Sequence, residues 1–165
     1  LHLSLRRQRQ MCIRDSTSSD ELADIIYNYG EERRSRSIAK RIAMMRPIRT
    51  VPELVEAIRR STPPKNRNKT IIRVFQAIRI AVNDELDKLD LFLSFFCRRL
   101  CIGGRIVIIS FQSLEDRKIK HTFRELGKKK RIKILTKKPL VPCQEEIKNN
   151  NRSKSAKLRA AERIG

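Results

Sequence analysis

The spacing of apolar residues divides the chain into a helical first part and a mixed second part. In the stretch that follows the N-terminal arm, three segments carry apolar side chains three or four positions apart, which predicts three short amphipathic helices. Ser18 with Glu21, and Thr50 with Glu53, have the spacing of a capping box, which marks where the first and third helices begin. Each helix offers one apolar stripe, so we expect a small helical subdomain over residues 17–70.

The second helix of this set is strongly basic. It is predicted over Glu31–Met45, with Ile38 and Ile42 on its apolar face, and Gly30 is placed to end the helix before it. The segment Ser61–Thr70 is rich in Pro, Asn and Lys and is predicted to be a loop.

A longer helical pattern starts near Ile71 and opens the second part of the chain, residues 71–165. Apolar residues recur at intervals of three and four up to Leu100, so one side of the helix is expected to be buried. Two helices with a break near Asp87–Leu91 fit the pattern equally well. The polar positions mix Gln and Asn amides with Arg, which are groups that read bases and sugar hydroxyls. A solvated helix face is the plainer interpretation.

The segment Arg105–Arg117 predicts a strand that ends in a polar turn. Gly103-Gly104 supplies a turn, Ile106–Ile109 is a β-branched run typical of a strand covered on both faces, and polar side chains follow at its carboxyl end. Open α/β sheets bind their ligands at such strand ends. An ordinary helix cap formed by Ser113 and Asp116 explains the same residues equally well.

The rest of the chain continues the α/β pattern. An amphipathic helix ends at Gly127, and Ile132–Leu135 is predicted to be a short strand. Apolar residues alternate at Ala156, Leu158 and Ala160, which predicts a final strand.

The charge of the chain indicates a polyanionic partner. The sequence has 39 Lys and Arg residues against 18 Asp and Glu residues, a formal net charge of +21 on 165 residues. Each Lys or Arg that meets a phosphate releases condensed counterions, which favours binding to nucleic acid. An acidic membrane surface would attract the same charge, but the sequence has no stretch of about 20 apolar residues to span a bilayer. A chain that is simply basic and soluble is the third possibility.

We expect phosphate contacts from basic residues of the helical segments and of the C-terminal part. The cluster at Arg33, Arg34 and Arg36 is denser than solubility requires, although pairing with Glu31 and Glu32 is the alternative. The predicted RNA contacts are Arg33, Arg34, Arg36, Arg41, Arg73, Arg79, Arg117, Arg152, Lys157 and Arg159.

The cysteines and histidines do not predict a metal site. The four cysteines contain no CxxC pair and no histidine stands at a zinc-like offset from them. Reduced thiols are the expectation for a cytosolic protein. We therefore predict no metal.

Residues 1–16 stand apart from the rest of the pattern. They contain neither an apolar signal core nor a periodic continuation into the first helix. The segment RQRQMCIRDS has the look of a translated cloning scar, and a disordered basic arm that touches RNA is the alternative. We expect the chain proper to begin near Thr17.

Four blocks of sequence together resemble one known family. They are IIYNYGEERRSRSIAKRI from Ile25, VFQAIRIAVNDEL from Val74, GGRIVIISFQSLEDR from Gly103 and RSKSAKLRAAER from Arg152. In order and spacing they resemble the bacterial ribosomal RNA small-subunit methyltransferase H family, formerly called MraW, over essentially all of Thr17–Gly165. The resemblance implies methylation of N4 of a cytidine in 16S rRNA, with S-adenosylmethionine as methyl donor and 16S rRNA or the small ribosomal subunit as partner.

The resemblance also implies a fold, and it implies that part of this fold is missing. The family has an α/β, Rossmann-like class I methyltransferase domain with an inserted all-helical subdomain, and its first half carries the glycine-rich cofactor loop. None of the glycines here forms a G-x-G turn after a strand. We therefore expect a C-terminal fragment that holds the last strands and helices of the sheet. Such a fragment should bind S-adenosylmethionine poorly and be inactive alone.

The implied reaction defines a candidate site. Cytosine N4 is a poor nucleophile, so the site must hold the amine in line with the methyl group and accept hydrogen bonds from its N–H groups. An aromatic or Arg plane commonly receives a base that has left its stack. The candidate catalytic residues are Ser110, Phe111, Gln112 and Ser113 on the pocket floor, with Asn83 and Glu85 facing them.

Gln112 departs from the family pattern. Related sequences usually read SFHSLEDR, with histidine where this chain has Gln112. Glutamine keeps a hydrogen bond but cannot transfer a proton at neutral pH. Activity therefore depends on whether the histidine has a chemical role.

The alternative function is a basic rRNA-binding or ribosome-associated module without catalysis. It explains the charge and the helical part as well as the enzyme does, but it does not explain the number of polar groups in the SFQSLEDR turn. Both functions predict a cytoplasmic location.

Overall fold

A computed structural model describes residues 16–165, which form two compact units. The first unit extends to Glu85, and the second comprises Leu86–Gly165. The arm predicted at residues 1–16 lies, except for its last residue, outside the described part of the chain.

The first unit is built from helices. Its described α-helices are α1 (Ser19–Gly30), α2 (Ser35–Met44), α3 (Val51–Arg60) and α4 (Arg67–Asn83), with a short 3-10 turn at Pro64–Asn66. The capping boxes predicted at Ser18 and Thr50 are both formed. The apolar stripes meet in one core, which contains the buried side chains of Leu22, Ile26, Ile38, Ile42, Ile58, Val74, Ile78 and Val82.

This core explains the position of the boundary between the two units. Val74, Ile78 and Val82 of α4 lie in it, so α4 belongs to the helical unit. The boundary therefore falls between Glu85 and Leu86, and not between residues 70 and 71 as the sequence pattern suggests.

Two helix starts also differ from the prediction. The helix α4 begins at Arg67, so the predicted loop loses its last residues to the helix. The helix α2 begins at Ser35, which leaves Arg33 and Arg34 in the turn before it. The long helical pattern is interrupted at Asp84, whose φ of 52° is left-handed, a few residues before the predicted break.

Gly30 has a role in packing and does not end α1 in the predicted way. It is the last helical residue, and the left-handed residue after it is Glu31. A Cβ atom on Gly30 would lie 2.8 Å from the carbonyl oxygen of Arg73. Glycine therefore lets α1 and α4 approach closely, which a larger residue would prevent.

The second unit combines helices with a small sheet. It contains α5 (Glu85–Arg99, except its first residue), β1 (Arg105–Ser110), α6 (Ser113–Lys128), β2 (Ile132–Ile134), α7 (Gln144–Asn149), a 3-10 turn (Asn151–Ser155) and β3 (Lys157–Arg163). The strand order is β1-β3-β2, and both pairings are antiparallel. The strands β1 and β2 therefore run in the same direction, with β3 between them.

One face of β1 is packed and the other is open. Ile106 and Ile108 lie against a core that α5, α6 and β3 supply through Leu93, Phe96, Cys97, Ile119, Phe123 and Ala161. On the other face, Val107 is 59% exposed and Ile109 is 54% exposed. The prediction that this strand is covered on both faces is therefore wrong for the described residues.

The final strand forms where the sequence predicts it, over Lys157–Arg163. Ala161 lies opposite Ile106, and Arg159 lies opposite Ile108. Directly opposed residues share one face of a sheet, so Arg159 and Ala161 face the core. Leu158 and Ala160 lie on the other face, where Leu158 is partly exposed and Ala160 is buried.

Candidate functional site

The turn after β1 divides its side chains between two environments. Ser110 and Gln112 are buried, whereas Phe111 and Ser113 are exposed. This alternation continues that of the strand, because successive side chains of extended backbone point to opposite sides. Phe111 thus presents its ring at the end of the strand.

A glutamate fixes the backbone of this turn. The Glu115 Oε2 atom accepts hydrogen bonds from the backbone N–H groups of Phe111, at 3.1 Å, and Gln112, at 3.3 Å. Gln112 is the N-cap residue of α6. The cap predicted at Ser113 is therefore wrong by one residue, since Ser113 is already the first residue of the helix.

Asp116, the other half of the predicted cap, forms a buried ion pair instead. Its carboxylate accepts from Arg159 Nε at 2.6 Å and from Arg159 Nη2 at 3.2 Å. The hydrogen bond from Arg159 lowers the pKa of Asp116, and the charges of Arg159 and Lys157 act in the same direction against the opposing effect of burial. The pair joins the first turn of α6 to β3.

This ion pair corrects one predicted RNA contact. Arg159 is only 6% exposed, and its guanidinium is engaged by Asp116. It does not reach the surface as a phosphate contact must. Lys157 lies 3.8 Å from the same carboxylate but remains partly exposed.

Gln112 and Ser110 differ in how their buried groups are satisfied. The Ser110 hydroxyl donates to the carbonyl oxygen of Lys157 at 3.5 Å. Gln112 is only 8% exposed. Its side chain is placed to accept from the backbone N–H of Glu115 in a capping box, but its buried oxygen forms no hydrogen bond of normal geometry among the described residues. An unsatisfied buried acceptor costs about 1–3 kcal/mol.

Asn83 and Glu85 belong to the helical unit, where they contact each other. Asn83 Nδ2 donates to Glu85 Oε1 at 2.8 Å, and Arg79 Nε lies 3.2 Å from the same oxygen. Arg79, a predicted phosphate contact, is thus paired with a carboxylate. The placement of Asn83 and Glu85 opposite the turn after β1 stays a prediction.

The basic cluster at Arg33, Arg34 and Arg36 is exposed. Among residues 16–165, the Glu32 carboxylate is contacted by Thr70, by Arg73 and by the backbone N–H of Arg34, and no ion pair joins it to the side chains of this cluster. The alternative that Arg36 pairs with Glu31 stays open. Arg117 and Arg152 are also exposed, and Arg41 is partly buried.

Sequence reasoning missed Lys69, which lines the same concavity as Arg33 and Arg73. Its spacing of four residues from Arg73 is a signal that becomes visible once the helix is known to start at Arg67.

The described residues do not form a cofactor cradle of the usual kind. Such a cradle needs a glycine-rich turn between a strand and a helix N-terminus. The strand β1 enters α6 through Phe111 and Gln112 instead. Among residues 16–165, no group of three or more His, Cys, Asp or Glu side chains could hold a metal ion. No helix in that range is long and apolar enough to cross a membrane.

Comparisons with known proteins agree on one family. The chain is 55% identical over 147 residues to "Ribosomal RNA small subunit methyltransferase H" of Nostoc punctiforme, which is 87% of this chain and 48% of that protein. It is 54% identical over 155 residues to the protein of the same name from Kosmotoga olearia, 91% of this chain and 52% of that protein. The chain thus spans about half the length of the curated relatives it matches. The sequence pattern that defines the MraW methylase family matches residues 8–164, and the chain therefore belongs to that family.

Proposed function

We propose that the chain is part of an enzyme that methylates ribosomal RNA of the small subunit. The observation that carries this proposal is the 55% identity, over 87% of the chain, to a protein named as a ribosomal RNA small subunit methyltransferase. The finer proposal is methyl transfer from S-adenosylmethionine to N4 of a cytidine in 16S rRNA. Such a substrate would place the protein in the cytoplasm with the small ribosomal subunit.

We propose that the sheet of the second unit is one end of a larger, Rossmann-like sheet. Its support is that β1 and β2 run in the same direction and are linked by α6. A second support is that Val107 and Ile109 expose an apolar face and that β1 is an edge strand of the described sheet. Long apolar edge strands normally have a partner or a cover. We assign the partner strand of β1, the cover of its apolar face and the cofactor site to the part of the relatives that this chain does not span.

In this proposal the turn after β1 holds the target base. The exposed Phe111 ring offers a stacking surface of the kind that receives an extruded base. The Asp116–Arg159 pair and Glu115 fix the backbone beneath it, so the ring is held in place before the base arrives.

Gln112 has a separate role in the proposed site. A rotation of its side chain toward the base would let its unpartnered oxygen accept a hydrogen bond from the cytosine amine. That contact recovers the cost of an unsatisfied buried acceptor, which favours the rotated state only when a donor is present.

The test is a chimera that joins the N-terminal half of the Nostoc punctiforme relative to this chain. Small ribosomal subunits lacking the modification are the substrate, and methyl incorporation is measured. Phe111→Ala should lower turnover efficiency by about 5-fold to 150-fold, because base stacking contributes roughly 1–3 kcal/mol. Phe95→Ala, which removes another partly exposed phenylalanine of the second unit, is the matched control.

Gln112→His separates a chemical role from a structural one. A strong rise in methylation with unchanged RNA affinity and melting temperature would show that the position acts in the reaction. If Gln112→His, Gln112→Ala and Phe111→Ala all leave methylation unchanged, the turn is not the base site.

The cofactor part of the proposal has its own measurement. Titration calorimetry of the chain with S-adenosylmethionine should show no saturable binding in the micromolar range, roughly −8 kcal/mol. The reason is that the described residues lack a glycine-rich turn between strand and helix. Micromolar binding would contradict the assignment of the cofactor site to the other half.

A second candidate function is an RNA-binding module without catalysis. One observation favours it, namely that the exposed basic residues of the helical unit need no cofactor to bind RNA. If the chimera binds small-subunit RNA but transfers no methyl group at any concentration of S-adenosylmethionine, this second function replaces the first.

A further inference from the structure

A concavity on the helical unit brings together cations from separate parts of the chain. Arg33 and Arg34 come from the turn between α1 and α2, whereas Lys69 and Arg73 come from α4. The concavity has a volume of about 330 Å³, and one carboxylate, Glu32, lines it with them. Four cations thus surround one anion.

Glu32 is a positioning residue for this cluster. It is only 5% exposed, and three donors occupy its carboxylate. The Thr70 hydroxyl donates at 3.0 Å, the backbone N–H of Arg34 donates at 3.2 Å, and Arg73 Nη1 lies at 3.5 Å. These contacts join the turn between α1 and α2 to α4, and they fix the backbone positions of Arg33 and Arg34.

Most of the positive charge of this cluster is not neutralised by a neighbouring carboxylate. Within the described part of the chain, the side chains of Arg33, Arg34 and Lys69 take part in no ion pair, and half of the Arg73 side chain is exposed. Like charges held close together repel, so an entering anion with several acceptor oxygens gains both attraction and relief of that repulsion. A phosphate group has this chemistry.

A second concavity adjoins the first and shares Arg33 and Arg34 with it. Its volume is about 760 Å³, and its lining also includes Tyr27, Asn28, Arg36 and one carboxylate, Asp24. Tyr27 is 58% exposed, so its ring is open to solvent beside the arginines. A cationic groove next to an exposed aromatic ring is the combination that holds single-stranded nucleic acid.

We propose that these two concavities form a binding site for single-stranded RNA. A backbone phosphate occupies the cluster of Arg33, Arg34, Lys69 and Arg73, and a neighbouring base stacks on Tyr27. Stacking requires an unpaired base, which excludes a continuous duplex at this position. The inference rests on the proposed RNA substrate and adds a site in the helical unit, separate from the turn after β1.

The test uses the full chain and a fluorescent oligouridine of about 12 nucleotides, within the range that single-strand sites cover. Affinity is measured by anisotropy over a series of KCl concentrations. Arg33→Ala/Lys69→Ala should reduce the slope of log affinity against log salt by about 1.4, or roughly 0.7 for each phosphate contact. Lys40→Ala/Arg59→Ala removes the same charge from outside both concavities and should change the slope much less.

The stacking part is tested with Tyr27. Tyr27→Ala should weaken oligouridine binding by about 5-fold to 150-fold, whereas Tyr27→Phe should bind nearly as well as the unmodified chain. Helix content by circular dichroism checks that each variant is folded. A duplex RNA of equal length should compete poorly with the labelled strand.

Each outcome decides the proposal. Equal slopes for the site variant and the control variant, no effect of Tyr27→Ala, or equal competition by duplex RNA would overturn it. If the chimera methylates RNA but the slope of log affinity against log salt is unchanged in Arg33→Ala/Lys69→Ala, this site is rejected and the proposed enzyme is kept. The predicted slopes without methylation would keep the site and reject the enzyme.

Discussion

The helical unit closes around its own core, whereas among the described residues β1 of the second unit packs on one face and is open on the other. In the helical unit, Ile26, Ile38, Ile42 and Ile58 are completely buried by neighbouring helices. In the sheet, the same residue types are partly buried on one side of β1 and exposed on the other. The helices therefore bury this core with their own side chains. The sheet instead leaves Val107 and Ile109 exposed on one face of β1.

Removal of the Asp116 carboxylate should cause the largest loss of stability, and only in the second unit, which contains the sheet and is called the sheet unit below. Asp116→Ala leaves Arg159 buried without its partner, which typically costs about 3–5 kcal/mol. Both tyrosines of the chain, Tyr27 and Tyr29, lie in the helical unit, so tyrosine fluorescence follows that unit alone. In urea unfolding, part of the transition seen by circular dichroism should move to lower urea concentration. The transition seen by tyrosine fluorescence should stay at the same urea concentration.

A control variant separates charge from packing in this prediction. Asp116→Leu/Arg159→Met removes both charges and should recover much of the lost stability, because no unpaired charge remains. A shift of the tyrosine transition in Asp116→Ala would mean that the two units unfold together, which contradicts the comparison.

The core of the helical unit should respond next most strongly. Ile38→Ala removes a completely buried side chain and should lower the free energy of unfolding by about 2–5 kcal/mol, seen in the tyrosine transition. Val107→Ala is the matched control on the open face and should change stability by less than about 0.5 kcal/mol. A large loss in Val107→Ala would show that the face is covered in solution.

The two units also use glycine for different reasons, which alanine substitutions distinguish. Gly30→Ala forces a Cβ atom against the carbonyl oxygen of Arg73 and should cost about 1–3 kcal/mol through overpacking. Gly103 has a φ of 79° but open space around it, so Gly103→Ala should cost about 1–2 kcal/mol through backbone strain alone. Asn tolerates this conformation, so Gly103→Asn should be less costly than Gly103→Ala, whereas Gly30→Asn should be worse than Gly30→Ala.

The acid stability of the sheet unit gives the smallest effect. The pKa of Asp116 is lowered in the folded state, so its contribution is complete above the unfolded pKa near 4 and is lost as the pH falls through the folded pKa. Each unit of pKa difference corresponds to about 1.4 kcal/mol. Asp116→Asn should therefore flatten the acid side of the stability profile below about pH 4. An unchanged profile would assign the acid sensitivity to other carboxylates.

Local sequence signals predicted the helical unit well. Apolar periodicity located the helices, and the capping boxes at Ser18 and Thr50 located two of their starts. These features depend on residues a few positions apart, which a sequence displays directly. The role of Gly30 depends on Arg73, which lies on another helix, and no local pattern reveals it.

The sheet is harder to predict from sequence, because the side chains that contact each other across it are distant in the chain. The charge of Arg159 suggests a solvent-facing position, and only Asp116, 43 residues away, accounts for its place in the core. The density of polar residues marks the turn after β1 in the sequence, and its division into exposed Phe111 and buried Gln112 follows the strand alternation. The basic concavity cannot be predicted from local sequence patterns. Arg33 and Lys69 are far apart in the chain and line the same concavity only once α1 and α4 have packed together.

The open face of β1 has a consequence for how the protein behaves as a solute. A net charge of +21 keeps the molecules apart when little salt is present, even though Val107 and Ile109 are exposed. The Debye length falls from about 10 Å at 0.1 M salt to about 3 Å at 1 M, so the repulsion fades while the attraction between apolar faces does not. Colloidal stability should therefore be greatest in dilute buffer and decline as salt is added, so purification steps at high salt will favour precipitation.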